Sequence, residues 1–117
     1  IAIPKGANDQ EYLSILKDTL PKILAEHRPD FVFYDAGVDV HQDDRLGYVN
    51  LTDQGILERD TYVIETCVSL KLPTACVIGG GYDRQEDRVA WRHSLLHQAA
   101  HQVWNKYFLN DTHILRS

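Results

Sequence analysis

The chain has 117 residues, of which 44% are hydrophobic and 25% are charged, the balance of a single globular domain. Its formal net charge of -5 argues against duplex nucleic acid or an anionic membrane as the main partner, because both bind basic surfaces. The sequence has no apolar run of about 18 residues, so no membrane-spanning segment is expected.

A helix and a strand are predicted in the first third of the chain. Asn8 and Glu11 have the spacing of a capping box, which predicts a helix from about Asp9 toward residue 26. Pro21 lies inside that pattern and is expected to kink or split the helix, because it removes one backbone hydrogen bond. The aromatic and β-branched run at 31–34 is typical of a buried strand.

Another helix, strand and helix are predicted after residue 50. Thr52 is expected to cap a helix that runs to about Leu70. The apolar face of this helix is formed by Ile56, Val63, Cys67 and Leu70. The segment 72–81 predicts a second buried strand that ends in glycines, and Asp83 with Glu86 predicts a capping box before a long amphipathic helix over 88–108.

The order helix, strand, helix, strand, helix predicts an α/β fold with parallel strands, and residues 1–117 show no internal domain boundary. Cys67 and Cys76 lie in apolar periodic segments, where a free thiol behaves as a small hydrophobe. We therefore expect a reducing, cytoplasmic location.

Acidic residues follow the first predicted strand, and a glycine run follows the second. The acidic residues and their histidine are Asp35, Asp39, His41, Asp43 and Asp44. Because sites in parallel sheets form outside the carboxyl ends of the strands, we expect the two segments to lie side by side. The acidic segment fits either a metal site or a solvated loop whose aspartates cap turns, since its spacing matches no self-contained zinc motif.

The segment GGGYD at 79–83 also has more than one interpretation. Consecutive glycines can cradle a phosphate or simply form a tight turn. Tyr82, held at the rim of a site, can donate its hydroxyl to a substrate oxygen.

Titratable residues on the two later helices are interpreted as structural. His93, His97 and His101 stand four residues apart, a spacing that can bind zinc, but no Glu lies between them as in metalloprotease helices. Asp60 lies on the apolar face of its helix, where a buried carboxylate needs a partner. We expect the contact between Asp60 and its partner to tie the helix to a neighbouring loop.

The ordered segments DAGVD, DDRLG, NLT and GGGY resemble the C-terminal part of the zinc-dependent histone deacetylase superfamily, nearest to its bacterial and class IV-like branch of acetoin-utilisation-type proteins. The resemblance implies the parallel-sheet, three-layer α/β fold of the arginase and deacetylase families. It also implies a zinc cofactor and hydrolysis of N-acyl lysine or another acylated amine by the full-length protein.

The resemblance implies roles for single residues. Asp44 matches the last zinc-ligating aspartate of the family, and Tyr82 matches the tyrosine that hydrogen-bonds the acetyl carbonyl. Gly80, Gly81 and Leu51 would line the acyl-lysine tunnel. Asp39 would lie close behind the metal ligands, whereas Asp35, His41 and Asp43 would be rim or turn residues.

The tandem histidines of the family have no counterpart in this sequence. Its Asp-x-His pair has none either, because the D-x-H letters at 39–41 lie inside the loop that carries Asp44. The resemblance therefore implies a segment whose partner is the remaining N-terminal part of the catalytic domain. Such a segment is expected to self-associate through an unpaired strand edge and an apolar face.

Two alternatives to this interpretation stay open. The chain fits a stand-alone α/β module that binds a phosphate or nucleotide on its glycine turn, with the acids holding a divalent metal. It also fits a non-catalytic remnant that acts in assembly.

Overall fold

The structure is a computed structural model that describes residues 2–108. It contains five elements in the predicted order, which are α1 (Asp9–His27), β1 (Val32–Gly37), α2 (Asp53–Ser69), β2 (Thr74–Gly79) and α3 (Glu86–Tyr107). β1 and β2 pair in parallel, from Val32 opposite Thr74 to Gly37 opposite Gly79. The predicted parallel α/β fold is confirmed.

Local capping signals place the first two helices correctly. Asn8 Oδ1 accepts a hydrogen bond from the Glu11 amide at 2.9 Å, and Thr52 Oγ1 accepts one from the Gly55 amide at 3.1 Å. The prediction for Pro21 was a kink or a split; α1 runs unbroken through Pro21, so the split does not occur, and the kink stays a prediction. Pro21 and Lys17 are both exposed, and water can therefore satisfy the Lys17 carbonyl that the proline leaves without a donor.

The start of α3 differs from the prediction. The N-cap is Gln85, whose side chain makes no capping hydrogen bond, and the helix begins at Glu86. Asp83 does not form the expected capping box because its carboxylate is used elsewhere. It accepts from the Gln85 amide at 2.9 Å and from Arg92 Nη2 at 2.8 Å.

α2 and α3 cover one face of the two-stranded sheet. One buried cluster joins the strand to both helices and consists of Ala36, Ile64, Leu96, Ala99 and Val103. A second cluster lies under the loops at the carboxyl end of the sheet and consists of Val38, Leu51, Ile56 and Leu95. Within residues 2–108, no helix is both long enough and apolar enough to cross a bilayer.

Within residues 2–108 the opposite face of the sheet is open, so the two strands are buried on one face only, and an apolar face is left exposed as expected for a C-terminal segment. Phe33 is 78% exposed, and Val77 on the neighbouring strand is 47% exposed. Parallel sheets are ordinarily covered on both faces. Leu70 is exposed as well, because α2 ends at Ser69 before the apolar periodicity reaches it. The described residues thus form two layers, with an apolar sheet surface left open.

Candidate active site

The loop at 38–47, here called the acidic loop, lies beside the glycine turn at 79–82. The Val38 amide donates to the Gly79 carbonyl at 3.1 Å, and the Arg45 amide donates to the Tyr82 carbonyl at 3.0 Å. Both segments follow the carboxyl end of a strand, as expected from the topology. The parallel pairing of β1 and β2 therefore brings the predicted metal ligand and the predicted tyrosine into one site.

Asp44 is the direct link between the two segments. Its Oδ1 accepts a hydrogen bond from the Leu46 amide at 2.9 Å, and its Oδ2 accepts one from the Tyr82 amide at 2.5 Å. The residue is buried. An ionised carboxylate has about four lone-pair positions, so each oxygen keeps capacity for a cation.

The glycine turn has no room for side chains. Gly80 and Gly81 have positive φ angles of 60° and 99°, and a Cβ on Gly81 would lie 2.7 Å from Val38 Cγ2. Tyr82 itself is 55% exposed, and its hydroxyl hydrogen-bonds no described residue. The turn thus fixes the Tyr82 backbone and leaves the phenol facing outward.

Asp39 and Leu51 take different positions around this site. A Cβ on Gly80 would lie 3.1 Å from Asp39 Cγ, so the exposed Asp39 side chain abuts the glycine turn. Leu51 is fully buried among Val38, Ile56 and Leu95. In the described part of the chain, the Leu51 side chain presents no surface to a tunnel, contrary to the role that the resemblance implies.

His41 is buried, although the sequence suggested a rim or turn position. Its Nδ1 accepts from the Asp43 amide at 3.1 Å, which assigns the proton to Nε2, 2.8 Å from Asp53 Oδ1. Trp91 Nε1 donates to the other Asp53 oxygen at 3.0 Å. Nε2 therefore ties the acidic loop to Asp53 at the start of α2, whereas Nδ1 supports the turn within the loop itself. Sequence reasoning missed this because no local spacing reveals the Asp53 partner.

The other histidines form no metal group. His97 and His101 are exposed on α3, and His101 Nε2 lies 3.2 Å from Asn105 Nδ2. Over residues 2–108, no cluster of three or more His, Cys, Asp or Glu side chains could hold a metal ion. Asp44 therefore belongs to no such cluster within residues 2–108, and its role as a metal ligand stays a prediction.

Asp60 anchors α2 to β1 rather than to a loop. Its Oδ1 accepts hydrogen bonds from the Tyr34 hydroxyl and, at 2.9 Å, from Arg59 Nε. Arg59 Nη1 donates to the Gly37 carbonyl at 2.8 Å, where β1 ends. Burial raises the pKa of Tyr34 far above its usual value. Burial opposes the charge on Arg59, but Tyr34 and Asp60 still raise its pKa, so the guanidinium stays charged.

Asp60→Ala is expected to lower the free energy of unfolding by about 3–5 kcal/mol, because it leaves the buried Arg59 charge without its carboxylate. Urea titration of both proteins measures the difference. The matched control is Asp18→Ala, which removes an exposed pair with Lys22 at 3.1 Å and should cost at most about 0.5 kcal/mol. An Asp60 variant no less stable than this control would contradict the prediction.

The chain is similar to known proteins in sequence and in fold. The family model described as the histone deacetylase domain matches residues 1–98. An uncharacterized protein of Picosynechococcus sp. is 46% identical over 104 residues, which cover 89% of this chain and 35% of that protein. A probable deacetylase of Methanothermobacter thermautotrophicus is 35% identical over 79 residues, 68% of this chain and 23% of that protein.

A solved structure shows the same fold. The acetylpolyamine aminohydrolase from Burkholderia pseudomallei aligns with a TM-score of 0.67 and 25% identity, over 85% of this chain and 27% of that one. The chain therefore spans about a third or less of the length of these proteins. The match to the family model covers most of the chain, and the chain belongs to the histone deacetylase superfamily.

Proposed function

We propose that this chain is the part of a zinc-dependent deacylase that supplies one metal ligand, Asp44, and the hydroxyl that binds the substrate carbonyl, Tyr82. The observation that carries the proposal is the hydrogen bond from the Tyr82 amide to Asp44 Oδ2. Through it, one carboxylate faces a cation site and fixes the backbone of the residue that would meet the substrate.

The donor chemistry of Asp44 fits zinc, which takes three protein ligands in catalytic sites and leaves a further position open. Because the described residues offer one such ligand, the other two come from the N-terminal part of the catalytic domain. When bound, zinc would supply the Lewis acid that polarises the acyl carbonyl. The backbone amides of Leu46 and Tyr82 would hold the Asp44 carboxylate in place.

We assign Tyr82 the role of oxyanion donor. Its backbone is fixed by two hydrogen bonds, to Asp44 and from Arg45, whereas its hydroxyl bonds no residue in the described part of the chain and could meet a substrate oxygen. Gly80 and Gly81 would let the backbone of the turn come close to the acyl chain, because neither carries a side chain. Asp39 would support the glycine turn from behind.

The names of the relatives support a substrate class. One is named an acetylpolyamine aminohydrolase and others are named histone deacetylases, and both names denote enzymes whose substrates are N-acyl amines. We extend that class, acylated lysine or another acylated amine, to the complete protein. The free thiols of Cys67 and Cys76 fit a reducing compartment, in keeping with a cytoplasmic location.

The phosphate-binding alternative gains no support from the site. The first turn of α3 carries Glu86 and Asp87, whose negative charges oppose an anion at that helix N-terminus.

The complete protein is expected to bind zinc and to release acetate from an acetyl-lysine peptide or an acetylated polyamine. The 117-residue chain alone should do neither, because it provides one of the three ligands that a catalytic zinc needs. Elemental analysis and a deacetylase assay on both preparations measure this. Stoichiometric zinc with turnover in the short chain would refute the division of ligands, and an inactive, zinc-loaded complete protein would refute the function.

A further inference from the structure

Tyr82 is held from both sides along the backbone. On one side, its amide and carbonyl bond to the acidic loop, through Asp44 and the Arg45 amide. On the other side, the next residue, Asp83, accepts from Arg92 Nη2 at 2.8 Å, one turn and a half into α3. The phenol thus stands between a contact to the acidic loop and a contact to α3.

The contact on the α3 side is a buried ion pair. The Arg92 side chain is 3% exposed and the Asp83 side chain 8%. Asp83 Oδ1 also accepts from the Gln85 amide, so its two oxygens have different fixed partners. Hydrogen bonding to that amide, followed by Arg92, holds the pKa of Asp83 below its usual range. The carboxylate is therefore charged, and the Gln85 amide and Arg92 together fix its orientation.

We propose that Arg92 is a positioning residue for Tyr82, which sets the pose of the phenol by clamping Asp83. The inference rests on the proposed function of Tyr82. A capping residue could have fixed the start of α3 alone, but Gln85 provides no side-chain cap. The segment between Tyr82 and α3 depends instead on the guanidinium for its side-chain attachment to the helix.

The test uses Arg92→Gln, Asp83→Asn and Arg92→Lys in the complete protein. Arg92→Gln should lower kcat by about 10- to 100-fold, because small misplacements of a reacting group cost factors of this order. KM and zinc content should change little, and Arg92→Lys should recover part of kcat. The matched control is Arg88→Gln, an exposed arginine one turn earlier on the same helix, which should leave kcat as in the parent.

A double variant separates positioning from general stability. If Arg92 acts through the phenol, Arg92→Gln together with Tyr82→Phe should be no slower than Tyr82→Phe alone. The inference would be overturned if the losses of kcat multiplied in the double variant, or if Arg92→Gln lost zinc. It would also be overturned by a normal kcat in both Arg92→Gln and Asp83→Asn. Asp83→Asn is nearly isosteric, so it tests the same ion pair if Arg92→Gln does not fold.

Hydrogen exchange gives a readout that does not depend on activity. In Arg92→Gln, the Tyr82 amide should exchange faster than in the parent and in Arg88→Gln, because one of the two contacts that hold its segment is gone. If the parent hydrolyses no acylated amine, the proposed function fails, and the exchange data alone decide the positioning. Unchanged exchange at Tyr82 would then overturn it.

Discussion

Asp44→Ala is expected to abolish turnover of the complete protein and its zinc content together. In the proposed site the Asp44 carboxylate is one of the three protein ligands of a catalytic zinc, so its removal should release the metal. The substitution also removes the acceptor of the Tyr82 and Leu46 amides, so the glycine turn loses its attachment to the acidic loop. Zinc quantification and steady-state kinetics on the same preparations measure both losses.

Asp43→Ala is the matched control for Asp44. It removes the neighbouring carboxylate of the same loop, which is exposed and makes its described hydrogen bond to His41 through its backbone amide. Zinc content and kcat should both stay at parental values. Stoichiometric zinc in Asp44→Ala, or a loss of zinc in Asp43→Ala, would show that Asp44 is not the metal ligand.

Tyr82→Phe should lower kcat by about 10² to 10³, the usual cost of one missing oxyanion donor. KM should change much less, because the hydrogen bond strengthens mainly in the transition state. Zinc content should be unchanged, since the Tyr82 amide that holds Asp44 is retained in the variant. Steady-state kinetics on an acetyl-lysine peptide separate the two parameters.

Tyr48→Phe is the control for the loss of a phenolic hydroxyl. Tyr48 is also exposed and lies in the segment that follows the acidic loop, so its hydroxyl can be removed without touching the glycine turn. Its kcat should equal that of the parent. A Tyr82→Phe enzyme as active as Tyr48→Phe would leave the tyrosine only a packing role over the turn.

Much of the fold is predictable because its signals are local. Asn8 and Thr52 set the starts of α1 and α2 through contacts to amides three residues away, and the alternation of helix and strand specifies parallel pairing. The start of α3, in contrast, is not determined by local contacts. Asp83 has the spacing of a cap but is engaged by Arg92, and capping patterns do not include that partner.

Burial was harder to predict than secondary structure. The apolar run around Phe33 is typical of a strand covered on both faces, yet which faces are covered depends on layers that the local sequence does not specify. The burial of Leu51, at the site, was equally hard to predict from the sequence. Its place in the resemblance suggested a tunnel wall, whereas packing against Ile56 and Leu95 puts it in the core.

The hydrogen bond between Asp44 and Tyr82 has a consequence for how the chain folds. The two residues are 38 positions apart, and α2 lies between them. Closing a segment of this length costs entropy before any contact between its ends compensates, so parallel pairing is a slow step relative to helix formation. A chain that has formed only its helices would hold neither the carboxylate nor the phenol in place. The pairing of β1 with β2 is the step at which the site is assembled.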